Sequence, residues 1–320
     1  MSRKLVAKQE SFELLKPFRI AHGTRNSSEV IVVEISENGF VGKGEATPYK
    51  RYGESCESVL KQIKEIAPAI KNGLSKEDLQ NLIKAGAARN ALDLALWDLE
   101  SKKTNKEIYQ LANLPKPKTI KTAYTLVIDS PEIMAKEAAD KKNNFPIFKL
   151  KLAGDNGDME RIIAVREAAK NAIIVLDANE SWNEKIYQES IKICLDAKVS
   201  MIEQPFKANE DEFLRNIKRE IAICADESCH IVKDLENLYG KYDMVNIKLD
   251  KTGGLSQALQ LVKKARKMNF KIMVGCMVCT SLGILPAYYL AQIADFVDID
   301  APLLLKNDRN LLKFNNALVG

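Results

Sequence analysis

Lysines and carboxylates recur at near-regular intervals through the second half of this 320-residue chain. In order they are Lys149 and Lys151, Asp177 with Asn179, Glu203, Asp226, Lys248, and the pair Asp298 and Asp300. From Lys151 the successive steps are 26, 26, 23 and 22 residues, so about one strand plus one helix separates each from the next. Each residue alone has an ordinary reading. A strand-end carboxylate can cap a helix or pair with a surface lysine, and Lys149 and Lys151 can sit on an exposed strand edge. Together they form a pattern that surface scatter does not give. Asp177, Glu203 and Asp226 on three adjacent strands make a hard oxygen cage that suits Mg²⁺ and leaves open positions for a substrate. Lys149 and Lys151 share one face of a strand, while Phe148, Leu150 and Leu152 share the other. Two inward lysines are unfavourable unless carboxylates neutralise them.

These residues must be positioned by the elements around them. From Thr119 short apolar runs alternate with charged amphipathic stretches of about 12–15 residues, as crossover helices require. The runs are 122–128, 145–152, 173–176, 199–202, 221–225, 244–249, 271–275 and 296–299. Eight such units imply a parallel sheet closed into a compact (β/α)8-type barrel, here read as (β/α)7β, whose chemistry sits at the C-terminal strand ends. An open doubly wound sheet is the alternative, weakened by the lack of a Gly-rich loop after the first strand. Residues before about 117 read differently: a β-branched strand at 30–35, a turn at Glu37-Asn38-Gly39, a partner strand at 40–45, and helices near 58–72 and 87–102. This is an α+β capping domain over 1–117, with Leu114-Pro-Lys-Pro-Lys118 as the boundary. The barrel covers 118–305, and 306–320 is expected to pack back on the cap.

In an eight-strand ring the second and sixth strands are opposed, so Lys151 and Lys248 face each other across the mouth, with the metal to one side. A substrate carboxylate at the metal presents its α-carbon between two amines. One removes the α-proton and the other returns a proton to the opposite face, which is a 1,1-proton transfer. Such a base is expected to have its pKa moved from about 10.4 toward roughly 7–8, under the influence of nearby cations.

The set Lys149-x-Lys151, Asp177-Ala-Asn179, Glu203-Gln-Pro, Ala225-Asp226-Glu-Ser and Asn246-Ile-Lys248-Leu-Asp-Lys-Thr-Gly-Gly254 resembles the muconate-lactonising subgroup of the enolase superfamily. That superfamily uses a Lys or His base with Mg²⁺. The helix from Ala87 to Leu99 resembles its capping-domain helix. Within the superfamily the chain is most similar to dipeptide epimerases, and its first-domain loops to those acting on L-Ala-D/L-Glu. The resemblance implies that Asp298 and Asp300 bind the dipeptide ammonium, that Thr125 and Lys149 contact the substrate carboxylate region, and that the backbone of Cys276 and Met277 lines the substrate. It also implies an arginine for the glutamate side chain, with Arg25 the candidate and Arg51 the weaker one; His22 stands where some relatives carry arginine. Rival reactions on this fold are cycloisomerisation and o-succinylbenzoate synthesis. Two further rivals are a Schiff-base lyase using Lys248 and a metal-containing binding protein without turnover.

Composition narrows the field. With two histidines, His22 and His230, a His-rich zinc site is excluded. The net charge of +5 is spread out; the knot at Lys263–Lys267 reads as a solvated helix face, so no nucleic-acid partner is expected. No leader-like segment or apolar run of membrane length is visible, so a cytoplasmic protein with reduced cysteines is expected. Cys276-Met-Val-Cys279 reads as a buried strand and not a metal or redox motif. The partner is a small-molecule dipeptide, and a homo-oligomer is left open.

Overall fold

The computed structural model describes residues 3–320. The chain opens with an antiparallel sheet of β1 (Lys4–Ile20), β2 (Gly23–Glu37) and β3 (Phe40–Ala46), in that order. Helices α1 (Cys56–Lys71), α2 (Lys76–Leu82) and α3 (Ala87–Thr104) follow, then a single turn α4 (Ile108–Leu111). The sheet buries Ile31, Val33 and Ile35 against Ala88, Ala91, Leu92 and Ala95 of α3. Contact is close because β3 offers glycine: a Cβ on Gly42 would lie 2.6 Å from Leu99 Cβ, and one on Gly44 would overlap the Ala91 carbonyl.

A short β4 (Ile120–Lys121) leads into eight parallel strands, β5 (Tyr124–Leu126), β6 (Ile147–Lys151), β7 (Ile173–Asp177), β8 (Val199–Glu203), β9 (Ala222–Ala225), β10 (Met244–Ile247), β11 (Lys271–Gly275) and β12 (Phe296–Asp298), paired in sequence order. The Ala123 N–H donates to the Val297 carbonyl at 3.0 Å and closes the ring. Alternation sorts the side chains. Phe148, Leu150, Ile174, Leu176, Ile202, Ile223, Val245, Ile247, Ile272 and Val274 pack outward, in the core shared with the helices. Val175, Met201, Cys224, Met244 and Met273 turn inward and plug the barrel. Two residues further along the same faces come Asp177, Glu203, Asp226, Asn246, Gly275 and Asp298, so the period of two that seats the plug also aims the charges at the mouth.

Crossover helices are α5 (Pro131–Lys141), α6 (Asp158–Ala168), α7 (Glu184–Asp196), α8 (Leu235–Leu238), α9 (Leu249–Thr252), α10 (Leu255–Lys267) and α11 (Ser281–Ala291). One expected helix is missing: β8 reaches β9 through a single 3-10 turn, Glu212–Arg215. Pro205 and the left-handed Asn209 (φ 69°) break that stretch. The C-terminal segment divides. Lys306 pairs with Glu13, and Arg309 pairs with Glu10 and Glu45 of the cap. Strands β13 (Phe314–Asn315) and β14 (Leu318–Val319) then form a hairpin whose second strand pairs with β4.

The cap grips the turn after β10. From α3, Arg89 donates to the carbonyls of Thr252 (2.7 Å) and Gly253 (3.1 Å), Asn90 to Asp250 (2.9 Å), and the Trp97 indole to Ser256 (2.9 Å). Gly254 sits at φ +116°, and a Cβ there would lie 2.5 Å from Asp93 Cβ. The Gly44→Ala variant should lose about 1–3 kcal/mol of stability by overpacking β3 on α3. Urea unfolding followed by circular dichroism checks this; an unchanged midpoint would show that β3 can lift from the helix freely.

Candidate active site

The strand ends bring the charged residues into one buried cluster. Lys151 Nζ lies 2.6 Å from Asp177 Oδ2 and donates to Asn179 Oδ1 at 3.2 Å. Lys149 Nζ reaches three carboxylates, Asp298 Oδ2 and Glu203 Oε2 at 2.7 Å and Asp177 Oδ2 at 3.0 Å. Lys248 Nζ lies 2.6 Å from Asp226 Oδ2. All of these side chains are buried. Lys151 and Lys248 line the same cleft, together with Asn179, Asp226, Glu227, Cys276, Met277 and the cap residues Phe18, Ile20, Arg25, Tyr49 and Tyr52. The cleft holds about 50 Å³, well below the roughly 300 Å³ of a small-molecule site.

Electrostatics follow from this packing. Burial raises the Asp177 carboxyl, but Lys149 and Lys151 outweigh it and hold it down at about 2. Asp226 is also buried, yet Lys248 and Lys251 keep it well below the ordinary range. Burial, and then the neighbouring Asp177, push Glu203 up to about 7. Burial and Asp226 push Glu227 up to about 8. The sequence led to an expected fall in lysine pKa, and Lys248 departs from it. Burial does act to lower it, but Asp226, with Glu203 and Glu227 beside it and Lys149 opposing, raises it above the ordinary value. The reason is the close contact with Asp226, which favours the ammonium form.

The donor set fits a hard cation. Asp177, Glu203 and Asp226 each supply carboxylate oxygen, and Glu203 Oε2 is buried with no hydrogen-bond partner, its 2.7 Å approach to Lys149 being out of hydrogen-bond alignment. Among the described residues another group, His22, Glu180 and Glu227, brings potential ligand atoms within 4.8 Å of one another. Both Glu180 oxygens there are already taken by Arg51, at 2.7 and 2.8 Å. That group is a cap-to-barrel ion cluster, and it removes Arg51 as a free arginine for substrate. Arg25 has no carboxylate partner among the described residues and lies with its guanidinium 5.4 Å from the Tyr49 ring centroid.

On the far side, the Thr125 N–H donates to Asp300 Oδ2 at 2.7 Å, and Asp298 Oδ1 is buried without a partner. Burial, and then Asp298, push Asp300 up to about 7. Cys276 and Met277 lie just beyond β11, not in it, because the chain leaves the sheet at Gly275; the Cys276–Cys279 segment is thus a loop over the mouth and not the buried strand expected. Sequence reasoning missed Lys251, Glu227 and the Arg51–Glu180 pair. A signal for Lys251 was present, since three residues after Lys248 is one helical turn.

Comparison with known proteins identifies relatives along the whole chain. Residues 3–112 match the mandelate racemase / muconate lactonizing enzyme N-terminal domain, and 133–304 the enolase C-terminal domain-like family. An L-Ala-D/L-Glu epimerase of Escherichia coli (strain K12) is 44% identical over 302 residues, 94% of each chain. An N-acetyl-D-glutamate racemase of a Pseudoalteromonas species is also 44% identical, over 283 residues, 88% of this chain and 89% of that one. The crystal structure of an Enterococcus faecalis V583 dipeptide epimerase, complexed with Mg and L-Leu-L-Tyr, superposes with a TM-score of 0.92 at 31% identity, covering 100% of this chain and 97% of that one. Matched along both domains in sequence and along its full length in fold, the chain belongs to the mandelate racemase / muconate lactonizing enzyme family of the enolase superfamily.

Proposed function

We propose that the protein is a Mg²⁺-dependent dipeptide epimerase that inverts the α-carbon of the C-terminal residue, with L-Ala-D/L-Glu as its substrate. The observation that carries this reading is the placement of Lys151 on β6 and Lys248 just past β10: both line one cleft, each bonded to a different carboxylate of the strand-end set. In this scheme Asp177, Glu203 and Asp226 would hold the metal, which when bound would supply positive charge to offset negative charge developing on the substrate. The amine of one lysine takes the α-proton, and the ammonium of the other returns a proton to the opposite face. Asp298 and Asp300 receive the substrate ammonium, which gives Asp298 Oδ1 the partner it lacks. Lys149 and Thr125 contact the carboxylate region, the backbone of Cys276 and Met277 lines the peptide, and Arg25 meets the glutamate side chain. Support comes from the donor chemistry and from the relatives' substrates and Mg complex. The reading extends to turnover of murein peptides in the cytoplasm.

A second reading is racemisation of an N-acylated glutamate, favoured by the N-acetyl-D-glutamate racemase, which is also 44% identical, over a shorter span. The two differ at the amine, since an acyl group removes the ammonium that two buried carboxylates would bind.

Incubation of L-Ala-L-Glu in D₂O with Mg²⁺ should replace the glutamyl α-proton by deuterium, seen by NMR, and EDTA should stop it; no exchange with any dipeptide would remove the proposal. Lys151→Ala and Lys248→Ala should each lower epimerisation by about 10²–10⁴-fold, measured from the rate of change of optical rotation; full rate in both would exclude a two-base scheme. Asp298→Asn and Asp300→Asn should cut kcat/KM on the dipeptide and spare N-acetylglutamate. The opposite preference in the unmodified enzyme, with N-acetylglutamate the better substrate, would favour the second reading. Arg25→Met should raise KM for glutamyl dipeptides about 10–100-fold, the worth of a hydrogen-bonded charge, and leave L-Ala-L-Ala unaffected; equal effects on both would show that Arg25 does not read the side chain.

A further inference from the structure

Lys251 is a fourth ammonium in the cluster, and it has no part in the scheme above. It stands one turn past Lys248 in α9 and is 1% exposed. Its Nζ lies 2.6 Å from Asp226 Oδ1, and it donates to the carbonyls of Asp226 and, at 3.0 Å, Asn246. An ammonium has three donors, so all of its capacity is spent on these two residues and none is left for a substrate. Lys248 takes the opposite oxygen, Oδ2.

Asn246 repeats the arrangement one residue type over. Its Nδ2 donates to Glu203 Oε1 at 2.8 Å, and Glu203 Oε2 has no hydrogen-bond partner and only the ion pair with Lys149. Space for Asn246 comes from the next strand, where a Cβ on Gly275 would lie 2.6 Å from Asn246 Oδ1. The turn carrying Lys251 is fixed from outside by Arg89 of the cap, which holds the Thr252 and Gly253 carbonyls.

We propose that Lys251 is a positioning residue. It pins Asp226 through Oδ1 so that only Oδ2 faces the mouth, and through the Asn246 carbonyl it ties this setting to that of Glu203. The turn after β10 thereby presets two of the three carboxylates for a divalent cation. Without a partner on Oδ1, an aspartate is free to rotate and offer Lys248 both oxygens. Groups that orient metal ligands are worth about 10–100-fold in metal affinity. The inference rests on the metal reading above, and the sign of the effect separates positioning from simple charge balance. Removing a positive charge beside a cation site strengthens binding by Coulomb's law, whereas loss of positioning weakens it.

The test is calorimetric titration of Mg²⁺ into the metal-free protein, with no substrate present. Lys251→Met should bind about 10–100-fold more weakly than the unmodified protein, and Lys251→Arg should restore most of the loss. Binding by Lys251→Met as tight as, or tighter than, the unmodified protein would overturn the proposal. No Mg²⁺ binding by the unmodified protein would overturn the metal reading itself, a distinguishable failure. If circular dichroism shows Lys251→Met unfolded, Asn246→Ser takes its place, since it frees Glu203 Oε1 and keeps the carbonyl contact to Lys251. Weaker binding is expected there too, and unchanged binding would overturn the proposal.

Discussion

Charge buried in the barrel mouth has to be matched, and the rest of the structure is arranged around that requirement. Four lysines, Lys149, Lys151, Lys248 and Lys251, share the space with six carboxyls, Asp177, Glu203, Asp226, Glu227, Asp298 and Asp300, and every one of these residues is buried. Unpaired, such charges would cost several kcal/mol each. The ammonium groups satisfy Asp177 and Asp226, which stay ionised. Burial, reinforced by neighbouring carboxylates, pushes Glu203 and Asp300 up to about 7 and Glu227 up to about 8. If all ten groups ionise, two negative charges are in excess. A divalent cation would balance that excess, and a substrate ammonium would add a partner at the far end.

The cap exists in this arrangement to close the mouth and hold one side of it. The grip of α3 on the β10 turn fixes the segment bearing Lys248 and Lys251, while Glu45 receives the Thr280 N–H at 2.7 Å and fixes the loop after β11. A third tie, Arg51 to Glu180, crosses from the loop that also carries Tyr49 and Tyr52. Each tie joins the cap to a segment beside the cleft, so the interface that stabilises the two layers also sets the height of the roof over the lysines. The small cleft follows from that roof, to which Phe18, Ile20 and Arg25 at the β1–β2 end also contribute.

Much of this was legible in the sequence, for a physical reason. A barrel strand alternates between helix-facing and interior positions, so Phe148-Lys-Leu-Lys-Leu152 states both its period and its inner face, and one βα unit spaces each charge from the next. The long β1 was not legible. It is a half-exposed partner strand with Pro17 inside it, and its alternation is diluted by charged residues on the open face. The connection from β8 to β9 carries the length of a helix without an apolar stripe. At the site, the pairing of Arg51 with Glu180 could not be read from two segments so far apart in the chain. Lys251 was hidden because its direction is set by the turn through Gly253 and Gly254 (φ +73° and +116°), and by Arg89, some 160 residues away in the chain.

The central claim is that the strand-end carboxylates, paired with lysines in this structure, are a divalent-cation site. Mn²⁺ serves as a heavy stand-in for Mg²⁺, and anomalous diffraction from crystals grown with it locates the ion without reference to activity. The expected result is one strong peak in contact with oxygens of Asp177, Glu203 and Asp226. A peak among His22, Glu180 and Glu227 instead, or none at the strand ends with Lys149 still bridging Asp177 and Glu203, would contradict it.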